Sequence, residues 1–137
     1  MTVFLNNQKK IMDTNKLSGR GILIVEDDFS SRLYLNKILE KAGATIFNAS
    51  NGREAYDMVM QNQIIELVLM DIQLPVLDGY TCTSMLRDSG RKLVIIAQTA
   101  YGLTGDKEKM IVSGFDDYLI KPISQNQLLE KITSLLP

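Results

Sequence analysis

Polar residues stand where four apolar runs end. Ile22-Leu23-Ile24-Val25 stops at Glu26 and Asp27, and Leu67-Val68-Leu69-Met70 stops at Asp71. Leu93-Val94-Ile95-Ile96-Ala97 stops at Gln98-Thr99, and a shorter run near Asp117–Ile120 stops at Lys121-Pro122. Carboxylates, a hydroxyl and an ammonium are the groups that metal and phosphate chemistry require. Three crowded carboxylates raise one another's pKa unless a cation shares the site. Mg2+ suits that place: it takes oxygen ligands, keeps several waters, and is usually held by one or two carboxylates plus phosphate oxygens. An Asp27/Asp71 pair with Glu26 behind water fits it, and Ca2+ or Mn2+ is the alternative. With the anions neutralised, one carboxylate can attack phosphorus and form an acyl phosphate. Lys121 then offers a point charge and Thr99 a hydroxyl donor to the phosphoryl oxygens, which together supply positioning and charge neutralisation.

These residues can meet only if the chain places their strands side by side. From Gly21 onward, short apolar runs alternate five times with amphipathic segments, the pattern of an α/β domain with a parallel sheet. The runs are apolar on both faces, as buried parallel strands are. In such a sheet all strand C-termini share one edge, so residues about 95 apart in sequence converge there. A first helix presents Leu35, Ile38, Leu39 and Ala42 at helical spacing, with Gly43 as its C′ residue. A second strand near Ala44–Ala49 leads to Asn51 and Glu54, a capping box for a helix that buries Ala55, Met58 and Val59. After Asp71, a loop with Pro75 and Asp78-Gly79 precedes a helix over about Tyr80–Asp88, with Met85 and Leu86 on its inner face. Thr104-Gly105-Asp106 starts a fourth helix that Gly114 closes, and Ser124 with Gln127 opens a last one that buries Leu128, Leu129 and Ile132. Residues 1 to about 20 show no clean period and end in Ser18-Gly19-Arg20-Gly21, which reads as a tail, linker or adaptable helix.

Composition narrows the chemistry. The chain has 137 residues, 45% hydrophobic and 23% charged, the balance of one compact domain. Zero His and one Cys exclude or disfavour most zinc sites and hydrolytic triads. A phosphohistidine donor within these residues is excluded with them. Fifteen basic against sixteen acidic residues, a net charge of −1, give no electrostatic grip on nucleic acid. Apolar runs of four or five residues are far short of the roughly twenty needed to span a bilayer, so no membrane insertion is expected. The opening Met1-Thr2-Val3-Phe4-Leu5-Asn6 lacks a basic leader and a long apolar core, and with the lone Cys82 it suits a cytoplasmic setting.

Four motifs together resemble the receiver domains of two-component signalling, the response regulator family. They are Val25-Glu26-Asp27-Asp28, Met70-Asp71 through Asp78-Gly79, Ala97-Gln98-Thr99-Ala100, and Asp117-Tyr118-Leu119-Ile120-Lys121-Pro122. The resemblance covers residues 21–137 and leaves 1–20 as tail or linker. It implies a flavodoxin-like, three-layer α/β sandwich with five parallel strands in order 2-1-3-4-5 and five helices, and a cis bond between Lys121 and Pro122. By position, it implies Asp71 as phosphoacceptor, and Mg2+ held by Asp27, Asp71, the backbone carbonyl of Gln73 and, through water, Glu26. Lys121 would pair with the phosphoryl group, and Thr99 and Tyr118 would move together as the switch. Asp28 falls at a variable family position and is left out of the metal site. Gln73 and Tyr101 would flank the path of attacking water and set the lifetime of the phosphorylated state.

The expected donor is a histidine kinase or a histidine phosphotransfer domain, and the expected output is a changed partner preference at the surface of the fourth helix, fifth strand and fifth helix. No turnover enzyme is implied beyond the chain's own phosphorylation and dephosphorylation. A magnesium-dependent phosphatase with an Asp nucleophile is an alternative, but such enzymes resemble this set with a second Asp two residues after the nucleophile, where Gln73 stands. An interaction module that never takes phosphate is the other, against which Asp71, Thr99 and Lys121 stand intact. Gln98 before Thr99 is more similar to hybrid-kinase receivers than to transcriptional regulators, and the length leaves no room for an output domain after the receiver.

Overall fold

The structure, a computed structural model, describes residues 15–100 and 107–137. Its elements alternate without exception: β1 (Gly21–Val25), α1 (Phe29–Lys41), β2 (Thr45–Ala49), α2 (Gly52–Gln61), β3 (Ile65–Asp71), α3 (Gly79–Asp88), β4 (Val94–Thr99), α4 (Lys107–Ser113), β5 (Asp117–Ile120) and α5 (Gln125–Leu135). All strand pairs are parallel, and the sheet order is β2-β1-β3-β4-β5. This is the flavodoxin-like order, with five helices around five strands among the described residues.

Strand periodicity divides the core. Ile22, Ile24, Leu67, Leu69 and Ile96 point to one face of the sheet, where Leu35, Ile38 and Leu39 of α1 and Leu128 and Ile132 of α5 cover them. The alternate residues, among them Leu23, Val25, Val68, Met70 and Ile95, pack with Ala55 and Val59 of α2 and Cys82 and Leu86 of α3. On α3 the inner face differs from the expected one: Cys82 and Thr83 are buried with Leu86, while Met85 is half-buried. The helix starts at Gly79, and Gly79, Cys82, Thr83 and Leu86 recur at i, i+3, i+4 and i+7 to form its buried stripe.

Turn chemistry fixes where the helices begin and end. Gly43 has φ +88° directly after the Ala42 C-cap, the left-handed position that favours glycine. Asn51 Oδ1 accepts from Glu54 N at 2.9 Å, and Glu54 reaches back to Ser50 N at 3.3 Å, one residue beyond the usual reciprocal bond. Ser124 Oγ accepts from Gln127 N at 3.1 Å. The expected start of α4 at Thr104-Gly105-Asp106 lies outside the described residues; Gly114 follows its end at φ +103°. Packing also begins before Gly21, because Leu17 is buried against the α1/α5 layer and its N–H donates to Ala42 O at 2.9 Å.

The loop after β3 folds back on the strand end it has just left. Gly79 N donates to Ile72 O at 3.0 Å, and a Cβ on Gly79 would lie 2.3 Å from Asp71 O and 2.9 Å from Ile72 Cα, both backbone atoms that cannot yield cheaply. Only glycine lets α3 start this close to Asp71. Gly79→Ala is expected to destabilise the fold by about 2–3 kcal/mol, in the range of overpacking. A urea unfolding curve unchanged from that of the unsubstituted chain would contradict this account of the turn.

Candidate functional site

The site forms at the C-terminal edge of the sheet. Register pairing sets Val25 beside Met70, so Glu26 and Asp71 emerge from neighbouring strands; Asp71 in turn pairs with Gln98. The side chains of Glu26, Asp27 and Asp71 each bring a carboxylate oxygen within 4.8 Å of the others. Glu26 and Asp71 are buried and Asp27 is exposed, so the trio has a floor and a rim. Lys121, which follows β5, donates to Asp71 Oδ2 at 2.8 Å and to Glu26 Oε1 at 3.1 Å. Gln73 N donates to the other Asp71 oxygen, Oδ1, at 3.0 Å. The Lys121–Pro122 bond is cis, as the motif implies. Thr99 is 4% exposed at the end of β4, and its carbonyl accepts from Lys121 N at 2.7 Å.

The charges do not balance. Three carboxylates face one close ammonium, and the imbalance appears in the titration of Glu26. Burial, then hydrogen bonding and repulsion from Asp71, push its carboxyl up from 4.5 to about 8, against a smaller opposing pull from Lys121. Burial also works against the Lys121 ammonium, but its bonds to Asp71 and Glu26 outweigh this and raise its pKa. A proton on Glu26 thus stands in for a missing positive charge. The donor set is all oxygen, acidic and close-packed, which fits a hard divalent cation such as Mg2+.

Asp28 has a different task. It caps α1, with Oδ2 accepting from Ser31 N at 2.8 Å, and that bond holds its pKa below the usual carboxylate value. Arg32, one turn into the helix, donates to Glu26 O at 3.1 Å and ties α1 to the strand end. Tyr118 is half-buried on β5 and packs against the buried trio of Ile72, Ala97 and Met110, while the Lys131 ammonium lies 5.8 Å from its ring centre. Tyr101 lies outside the described residues.

Two further residues border the site, of which Lys109 gives no signal in the sequence. Lys109 on α4 reaches the same cleft, of about 680 Å³, and its ammonium lies 4.3 Å from the centre of the Tyr80 ring on α3. At an exposed position such a contact is worth about 0.5–1 kcal/mol. Gln98 lies within the sheet, where β4 keeps pairing through Gln98↔Leu119 and Thr99↔Ile120. Its side chain is buried, and neither amide atom has a hydrogen-bond partner among the described residues.

Residues 22–133 match the family model described as the response regulator receiver domain. The chain belongs to this family. Relatives with different roles share the receiver's sequence. It is 38% identical over 115 residues to the probable transcriptional regulatory protein SilR of Salmonella typhimurium, an alignment covering 84% of the chain and 50% of SilR. The chain spans half the length or less of curated relatives that it matches. Among solved structures, it is similar to the receiver domain of a sensor histidine kinase from Pseudomonas aeruginosa PAO1, which has a magnesium ion coordinated in its active-site cleft (TM-score 0.76, 34% identity, 85% of this chain and 96% of that one). It is also similar to the receiver domain of the Saccharomyces cerevisiae response regulator Ssk1, crystallised with the histidine phosphotransfer protein Ypd1 (TM-score 0.79, 34% identity, 85% of this chain and 88% of the matched chain).

Two outcomes follow for the receiver's site. Its raised pKa means that folding binds the Glu26 proton, so the stability this group contributes is full below 4.5 and is lost as the pH rises through about 8. Cation binding needs the carboxylate and runs the other way: Mg2+ affinity should rise between pH 6 and pH 8 by at most about tenfold per unit, and a flat titration by calorimetry would contradict the assignment of that proton. Gln98→Met removes two unpartnered buried polar atoms at similar volume and is expected to stabilise the fold by about 1–3 kcal/mol. Loss of stability in chemical denaturation would show that the amide has a partner in solution.

Proposed function

We propose that Asp71 is the phosphoacceptor of this receiver. The observation that carries the reading is the Lys121 ammonium, 2.8 Å from Asp71 Oδ2 and bonded on its other side to Glu26, 95 residues away in sequence. Asp71 offers a buried carboxylate at the floor of an open cleft, with one oxygen fixed by Gln73 N. Glu26, Asp27, Asp71 and the Gln73 carbonyl would hold Mg2+, whose chemistry is to neutralise the phosphoryl oxygens during transfer. Lys121 moves from the carboxylates to the transferred group, and Thr99 donates its hydroxyl there. The Asp71 oxygen attacks phosphorus in line, and the donor leaves toward the cleft mouth.

A phosphohistidine is the proposed donor. With no His in the sequence, it belongs to a kinase or phosphotransfer domain outside these residues. The receiver is proposed to run over residues 21–137, with residues 1–20 as a leader whose end, at Leu17, packs onto it. It acts in the cytoplasm as a switch rather than as a turnover enzyme. The proposed output surface is α4-β5-α5, where Ile111, Val112 and Ile120 are exposed although apolar, and where Tyr118 pairs with Ala97, two residues before Thr99 on β4. Among the described residues no helix is long and apolar enough to cross a membrane.

The decisive experiment incubates the protein with Mg2+ and phosphoramidate and follows intact mass together with amide exchange of α4-β5-α5. A phosphoryl adduct and altered exchange are expected, both abolished in Asp71→Asn. An adduct that persists in Asp71→Asn would move the acceptor elsewhere.

A further inference from the structure

The phosphoacceptor reading leaves one charged group in the cleft without a task. Among the described residues, five carboxylates and two ammoniums line it, and the ammoniums are Lys121 and Lys109. Lys121 is engaged at the floor by Asp71 and Glu26. Lys109 forms no salt bridge with any described carboxylate, although it shares the cleft with five. Its ammonium is perched on the face of Tyr80, 4.3 Å from the ring centre. An aromatic face orients a cation without neutralising it, so the charge stays available to an incoming anion.

Position decides which anion. Asp71 lies at the buried floor, 6% exposed, while Lys109 is exposed at the rim. In an in-line displacement the leaving group departs on the side opposite the attacking Asp71 oxygen, which here is the open mouth. We infer that Lys109, presented by Tyr80, is a specificity-determining residue that receives the carboxylate leaving group of small acyl phosphates and so favours them as direct donors. The inference rests on Asp71 being the phosphoacceptor.

The step balances. An Asp71 carboxylate oxygen forms the new P–O bond as the P–O bond of acetyl phosphate breaks. Acetate leaves with the electron pair, carrying a full negative charge that the Lys109 ammonium can pair with. Phosphoramidate makes the contrasting donor: it reacts with its nitrogen protonated and releases a neutral amine, which gains nothing from a cation at the rim. Both donors present the same phosphoryl group to Lys121 and to the metal site. A group that acts on the phosphoryl oxygens therefore affects both donors, and one that acts on the leaving group affects only the acyl phosphate.

The test compares second-order rates of phosphorylation by acetyl phosphate and by phosphoramidate, with Mg2+, in the full chain and its Lys109→Gln and Lys109→Arg variants. Lys109→Gln should lower the acetyl phosphate rate about five- to tenfold and the phosphoramidate rate less than twofold, as expected for loss of one charge-assisted contact. Lys109→Arg should restore most of the rate, and the difference between donors should shrink as salt screens the exposed charge. An equal loss with both donors, or no loss with acetyl phosphate, overturns the inference while leaving Asp71 as the acceptor. Failure of the unsubstituted chain to label with either donor overturns both.

Discussion

The charge imbalance at the sheet edge is the constraint on which the rest of the molecule depends. Three carboxylates within 4.8 Å would push one another apart in an isolated peptide, and here two of them are also buried. The fold holds them there because the elements that carry them are anchored elsewhere. β1 and β3 pair side by side through buried apolar residues, with Asp71 as the last residue of β3 and Glu26 directly after the end of β1. Lys121 supplies part of the missing charge, and a proton on Glu26 supplies part of the remainder. A site in this condition has a standing affinity for cations, and for any event that redistributes its one close ammonium. Its reactivity is a consequence of hydrophobic strands forcing like charges together.

Supporting contacts around the site can be understood as restraints on that repulsion. Gln73 N fixes one oxygen of Asp71, Arg32 ties the Glu26 carbonyl to α1, and Asp28 is occupied at the helix cap. Gly79 brings the start of α3 against the Asp71 carbonyl, so the loop cannot relax outward without undoing a helix. These contacts use backbone groups, which leaves the charged ends of Lys121 and Asp27 as the movable parts.

Much of this was legible in the sequence because the strands are short, apolar and each ended by a polar residue. The five site positions and the two helical layers follow from that pattern plus the resemblance it carries. The details that hydropathy alone leaves open share a cause: they depend on what lies across space. Gln98 and Thr99 belong to β4 because β5 continues to pair with them, although hydropathy marks them as an end. Leu17 is a single apolar residue with no periodic companions, and only the turn at Gly43 gives it a place to pack. Cys82 rather than Met85 lies on the buried stripe because that stripe begins at Gly79, which packs against the Asp71 carbonyl, and recurs at Cys82, Thr83 and Leu86. Lys109 carries no mark at all, since its direction is decided by how α4 lies against Tyr80.

The alternation along β4 divides the molecule by parity. Ile95 and Ala97 face the α2–α4 layer, and Thr99 continues their series; Ile96 faces the α1/α5 layer, and Gln98 continues that one. A displacement at Thr99 is therefore delivered to one layer, toward α4 and the Tyr118 ring, while its neighbour Gln98 stands over the opposite layer with α1. Adjacent residues thus address different halves of the protein. Inserting or deleting a single residue in β4 would exchange those assignments, so the layer that each side chain meets is encoded in whether its residue number is odd or even.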